Sequence, residues 1–477
     1  MQLQPADTLF IARLTQAFPE NIIRQAEPRY LEEPRGSWQG IAGCVALPTS
    51  TEKVATILRI ANEACVPVVP YGGGTGLVGG QVYPEGPAPV VLSLERMNKV
   101  LDANPAENVL VTQAGATLDS LHKAADNIDR LFPLAIASSG TAQIGGNLAT
   151  NAGGSNVLRY GNTRDLCLGL EVVLPDGRIW NGLSRLRKDN TGYDLRDIFV
   201  GSEGTLGVIT AASLKLFPRP SHYATALLVV PSPLAALDLL ALVRSKVGES
   251  VSAFELIHGN GYAFLRETMP DFKLPFDTPP QWSVLLDLGL SEGMNPDDTL
   301  EGIFTDAYDA GLVTDGLLAA SLTQRDEFWA LRETIPLANR AVGAIASHDV
   351  SLPISRIPSF IEQADKALAA LADMRINCFG HLGDGNLHYN VFPPVGKTKQ
   401  DYQPIREKVS EVVHDLVHQL DGSFSAEHGV GRLKTHDLMR YGDPVKLTLM
   451  KGVKQQFDPN GIMNPGAIFQ NEAEFLI

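Results

Sequence analysis

The sequence predicts an α+β protein of two or three domains, in which a domain built around glycine loops precedes one of longer helices and an antiparallel sheet. Three observations lead there. At 477 residues, 44% of them apolar, the chain exceeds what one hydrophobic core ordinarily holds. Two glycine-rich segments, residues 71–80 and 138–155, fall in its first third. After Pro218 and Pro220 the glycine loops give way to helical stripes and alternating strands.

Residues 44–48 and 66–70 read as strands around a helix whose stripe is Val54, Ile57, Leu58 and Ala61, with Thr49 and Glu52 at capping-box spacing. The second strand runs into the first glycine segment. There Gly74, Gly76 and Gly79 match G-x-G-x-x-G, and Glu95 follows the strand at 90–94. A nicotinamide-binding fold needs a helix straight after those glycines, and Pro84, Gly86, Pro87 and Pro89 forbid one. The loop therefore reads as an anion-binding nest of backbone N–H groups. Residues 133–158 carry no charged side chain, yet Ser138, Ser139, Asn147, Thr150 and Asn151 keep the stretch polar. Small residues allow close approach of a phosphate or a ring system. A long ordered surface loop is the plainer alternative. A hairpin with an Asp176-Gly177 turn follows, then a third glycine loop at 201–207 entering a strand.

Beyond residue 220, strands are expected over 226–230, 251–257 and 282–288, and helices over 234–247, 299–310, 325–341, 357–371 and 405–420. The sheet ends in a hairpin turning at Gly383-Asp384-Gly385-Asn386, which folds His381 back toward His388 and puts Asn390 on the face of His388. With a carboxylate from Glu427, two imidazoles make three ligands for a divalent metal that keeps open positions. His428 is then placed to act as a base. The plainer reading is that these histidines satisfy backbone groups at a turn. Cys378 reads as a buried strand residue, and His414 and His418 as edge or solvent residues of a helix buried through Val409, Val413 and Leu416.

A formal charge of −15 and a pI near 5.1 argue against a nucleic-acid partner. There is no apolar run of about eighteen residues and no signal-peptide pattern at the start, so neither a membrane span nor secretion is expected. Cys44, Cys65, Cys167 and Cys378 are scattered as reduced thiols would be, which suits a cytoplasmic protein.

Segments 71–80, 144–154, 201–210, 380–390, 426–431 and 457–466 stand in the order found in one flavoprotein family. The chain resembles the FAD-linked D-2-hydroxyacid dehydrogenases of the vanillyl-alcohol-oxidase type, D-2-hydroxyglutarate and D-lactate dehydrogenases in particular. The resemblance implies a PCMH-type FAD-binding domain in two subdomains over residues 1–220, and a substrate domain over 221–430 that caps the isoalloxazine and carries the metal site. Residues 431–477 would return to the FAD domain. It assigns Gly72, Gly73, Gly74, Thr75, Gly76 and Leu77 to the FAD pyrophosphate, and Gly140, Gly145, Gly146, Thr150, Asn151, Gly153 and Gly154 to the ribityl and flavin parts. Gly204 and Ile209 fall toward the adenine and Asn464 near the ring. The loop Pro70-Tyr71-Gly72-Gly73 offers no histidine or cysteine for a covalent link, so non-covalent FAD is expected.

By the same resemblance His381, His388 and Glu427 hold the metal, zinc first, with manganese or iron as alternatives. Arg332, Asn390 and His428 meet the substrate. His428 takes the hydroxyl proton of a D-2-hydroxy acid while hydride passes to flavin N5, giving the 2-oxo acid. An external acceptor, electron-transfer flavoprotein or a quinone-linked carrier, would reoxidise the flavin, and a homodimer is compatible. Hydroxyglutarate enzymes place a lysine where this chain has Ser347 in its substrate site, and a threonine where it has Pro336, which weakens the expectation of glutarate specificity. Two rivals are a non-catalytic FAD-binding subunit of a larger complex and a flavin-free metallohydrolase.

Overall fold

The computed structural model describes residues 2–36 and 38–470. They form two compact units: the described residues of Met1–Gly154, Gly161–Arg219 and Glu427–Ile477 in the first, and Ser155–Tyr160 with Pro220–Ala426 in the second. The return to the first unit thus begins at Glu427, and a six-residue excursion at Ser155–Tyr160 belongs with the second.

The first unit holds two sheets. Strands β1 (Ile23–Arg24), β2 (Cys44–Ala46), β3 (Val68–Tyr71) and β4 (Val90–Ser93) lie in the order β1-β2-β4-β3, the last three parallel. A parallel neighbour needs a crossover, and the helix Thr51–Glu63 supplies it, burying Val54, Ile57, Leu58 and Ala61. Its cap is Ser50, which accepts from the Lys53 N–H, so the cap expected at Thr49 stands one residue too early. Strands β5 (Val100–Asn104), β6 (Val109–Gln113), β7 (Cys167–Val173), β8 (Ile179–Gly182) and β9 (Val208–Lys215) make an antiparallel sheet in the order β5-β6-β9-β7-β8. The uncharged stretch contains a short helix, Ile144–Thr150, that propensity does not announce because two of its seven residues are glycine. Packing explains it: a methyl at Gly145 would stand 2.7 Å from the Ala114 side chain.

The second unit is one seven-stranded antiparallel sheet. Strands β10 (His222–Val229), β11 (Val251–His258), β12 (Trp282–Leu290), β13 (Asp315–Leu318), β14 (Ala346–Ser351), β15 (Arg375–His381) and β16 (Asn386–Phe392) run in the order β13-β10-β12-β11-β15-β16-β14. One face packs Leu228, Leu286, Phe254 and Tyr389 against the helices Pro233–Val247, Pro296–Asp309, Ile357–Leu371 and Arg406–Gln419. On the other, Leu227, Leu285, Ile257 and Phe379 pack under the helices Gly259–Thr268 and Leu322–Val342. His414 is not at an edge: it is buried on the first of these faces, 3.1 Å from the His348 ring, because β14 turns His348 toward its helix; His418 is exposed. No helix among the described residues is long and apolar enough to cross a membrane.

Candidate active site

In the first unit the three glycine segments converge at the ends of β3 and β4 on a cleft of about 1020 Å³, its open mouth included. Of the residues assigned to FAD, Gly72, Gly73, Gly74, Thr75, Gly76, Gly145, Gly146, Thr150, Gly204 and Ile209 line it; Leu77, Gly140, Asn151, Gly153, Gly154 and Asn464 do not. A methyl at Gly73 would lie 2.0 Å from the Thr141 carbonyl oxygen, so only glycine lets the first two segments close on each other. Asn464 acts from behind, its amide donating to the carbonyls of Gly80 and Glu203. Asn151 is left-handed (φ 50°) at the end of Ile144–Thr150, and its side chain accepts from the Arg164 N–H.

The residues fit a flavin dinucleotide on two counts. The buried oxygens Gln143 Oε1 and Asn147 Oδ1 both belong to residues lining this cleft and have no hydrogen-bond partner among the described residues, a cost that a ring N–H or ribityl hydroxyl would remove. Gly146 has open space where a side chain would stand. His428 also lines the cleft, a position the sequence reading did not give it. Its neighbour Glu427 accepts the Gly154 N–H at 2.8 Å.

The second unit carries a file of polar groups along one sheet face. Register puts Glu255 of β11 opposite His381 of β15, Phe379 of β15 opposite His388 of β16, and His388 opposite Asp349 of β14. Alternation then places His381, His388 and Asn390 on one face, as the hairpin pattern required. The His381 and His388 rings meet edge to face with centroids 5.5 Å apart. Glu255, fully buried, accepts from His381 Nδ1 at 2.6 Å and from Arg332 Nε at 2.8 Å. Burial alone would push this carboxyl up, but the charges of His381 and Arg332 outweigh it and hold it at about 2. Because a carboxylate only accepts, the neutral form of His381 carries its proton on Nδ1 toward Glu255 and its lone pair on Nε2, the arrangement a metal-binding imidazole needs. The imidazole pair therefore fits a divalent metal.

Arg332 is buried, stacked over Phe379 with 4.7 Å from its guanidinium carbon to the ring centroid. Pro336 lies inside the same helix, one turn on, and removes the N–H that would bond the Arg332 carbonyl. Ser347, exposed, faces Asn390 across β14 and β16, and the Asn390 side chain accepts the His348 N–H. Glu255 escaped the sequence reading. Its signal was an acid in the middle of the apolar run Ala253-Phe254-Glu255-Leu256-Ile257, where an ionised group needs a partner.

A two-sheet glycine cleft together with a domain bearing an imidazole pair defines a flavoprotein oxidoreductase. Residues 42–182 match the FAD binding domain family and residues 219–468 the FAD linked oxidases, C-terminal domain, family. The chain is 38% identical over 465 residues to the Bos taurus mitochondrial D-2-hydroxyglutarate dehydrogenase, covering 95% of this chain and 82% of that one. It is 36% identical to the D-2-hydroxyglutarate dehydrogenase of Xanthomonas citri pv. viticola, covering 96% and 97%. Among solved structures it resembles p-cresol methylhydroxylase with substrate bound, at a TM-score of 0.75 and 16% identity, over 97% of this chain and 98% of that one. That last likeness shows the vanillyl-alcohol-oxidase-type fold. The chain belongs to the FAD-linked D-2-hydroxyacid dehydrogenases.

Proposed function

We propose that the enzyme oxidises a range of D-2-hydroxy acids to 2-oxo acids with metal assistance, and that D-2-hydroxyglutarate, the acid in its relatives' names, is accepted without strong preference. The observation that carries this is the Arg332–Glu255–His381 chain, which spends a buried carboxylate on orienting one imidazole. Metal ligation is assigned to His381, His388 and Glu427, and proton removal to His428. FAD when bound accepts the hydride, and a divalent metal when bound lowers the pKa of a coordinated hydroxyl. The chain's own residues do the remaining work. Glu255 holds the His381 tautomer, Asn390 and Arg332 orient the acid, and His428 takes the hydroxyl proton. Since Arg332 already faces Glu255 and Ser347 adds no second cation, a distal carboxylate gains less here than at a guanidinium with no counter-charge. Electrons then pass to an external acceptor, electron-transfer flavoprotein or a quinone-linked carrier, and the setting is cytoplasmic.

Anaerobic bleaching of the flavin by D- and L-2-hydroxy acids, before and after chelation, tests the reading. D isomers should bleach it, and chelation should stop bleaching with FAD retained. Full turnover by demonstrably metal-free enzyme would remove metal assistance, and a colourless protein would favour a metallohydrolase.

A further inference from the structure

Directly after His428 the chain runs Gly429-Val430-Gly431-Arg432, and the half-buried carboxylate of Glu203 grips its backbone. Glu203 Oε1 accepts the Val430 N–H and Oε2 the Gly431 N–H, each at 2.7 Å. Burial pushes this carboxyl up, and the two N–H donors oppose that shift. The fit is close. A methyl on Gly429, which sits at φ 78°, would stand 2.6 Å from Glu203 Oε1. Glu203 itself has φ 52°, a left-handed conformation that a non-glycine residue keeps only where surrounding contacts impose it. Those contacts are its own N–H to the Ala149 carbonyl and its carbonyl receiving the Asn464 amide. On the far side of the turn, Arg432 donates to the carbonyls of Gly79 and Gly80. Glu203 and His428 both line the flavin cleft.

We propose that Glu203 is a positioning residue: by taking the two N–H groups that follow His428, it sets the direction in which that imidazole enters the cleft. The inference rests on His428 being the base. A carboxylate suits the task because it accepts at both oxygens, whereas a glutamine would meet one of the two N–H groups with its own NH₂. The turn would then shift, displacing the imidazole by about 1 Å, while the glycine segments stay in place.

The test is Glu203→Gln in the holoenzyme, with Glu203→Gly as a second variant that relieves the left-handed strain. Anaerobic flavin reduction is followed with D-lactate or D-2-hydroxyglutarate, whichever bleaches the native enzyme faster. Both variants should keep stoichiometric FAD and a near-native KM while the reduction rate falls by about 10- to 100-fold, the scale of misplacing a reacting group by about 1 Å. The pH profile of reduction should shift in both. The double variant Glu203→Gln/His428→Ala should be no slower than His428→Ala alone. Multiplying losses in the double variant, or loss of FAD in step with rate in both single variants, would overturn the proposal. Native turnover in His428→Ala would instead overturn the assignment of the base.

Discussion

The cleft of the first unit and the polar file of the second are built from opposite materials. Glu203 and His428 aside, the cleft is shaped by backbone, glycine and neutral side chains, and two of its buried side-chain oxygens have no hydrogen-bond partner among the described residues. In the file Glu255 sits between His381 and Arg332, and Asp287 takes both Arg325 and Thr225. A large cofactor with many polar edges can be recognised by amides and small residues. The file fixes its imidazole tautomer with a permanent charge, and buried charge must be balanced on the spot. The two regions should therefore fail differently.

The largest effect is expected at the file. In Glu255→Leu, Arg332 stays buried without its counter-charge and His381 loses its acceptor. Loss of one partner of a buried pair costs about 3–5 kcal/mol of stability, and loss of the acceptor behind a metal-binding histidine costs about 10- to 100-fold in metal affinity. Urea unfolding and metal titration should show both with FAD content unchanged. Retention of native metal affinity would break the contrast between the regions.

In the cleft the counterpart is Gly73→Ala, which drives a methyl toward the Thr141 carbonyl oxygen. Overpacking of this kind costs about 1–3 kcal/mol, and it should appear as weaker FAD binding in a fluorescence titration, with metal affinity unaltered.

How much of this was legible follows the range of each interaction. The helix Ile357–Leu371 was readable to the residue because its stripe and Pro358 are local signals. The hairpin placing His381 beside His388 was equally local. Glu255 and Glu203 were not, since their partners lie 77 and 126 residues from the first and 227 and 228 from the second. Nothing in the periodicity of β11 says which imidazole its carboxylate will meet. His414 was misplaced for a related reason: an apolar stripe marks a helix's buried face but not the His348 ring that draws a polar neighbour into it.

A smaller effect separates two histidines of the second unit. His381 faces a carboxylate, whereas His258 stands edge to face with Trp282, its Nδ1 accepting the Asn260 N–H. Burial pushes His258 down to about 4. Its folded pKa lies below the unfolded value of about 6.5, so the unfolded chain binds the extra proton between them and stability falls as pH drops through that window. Between pH 8 and pH 5 the loss should be about 2 kcal/mol from this group. Urea midpoints should show a shallower pH slope for His258→Gln than for the native chain, and equal slopes would mean that His258 takes up its proton in the folded state.

The smallest effect concerns what the file offers a substrate. Ser347 is exposed and lies opposite Asn390, so a lysine there can extend without displacing buried atoms. It would add a cation that Glu255 does not already balance, which is what a distal carboxylate needs. Ser347→Lys should therefore raise kcat/KM for D-2-hydroxyglutarate relative to D-lactate by about tenfold, the equivalent of about 1.4 kcal/mol for one partly solvated charge-assisted contact. The gain should come from a lower KM more than from a higher kcat, because the distal group does not react. If the native enzyme already favours D-2-hydroxyglutarate by about 10⁴, the scale of a well-paired polar contact, another cation serves that carboxylate and the lysine should change nothing. Arg332 would then be the first residue to examine, since its Nη groups have no hydrogen-bond partner among the described residues.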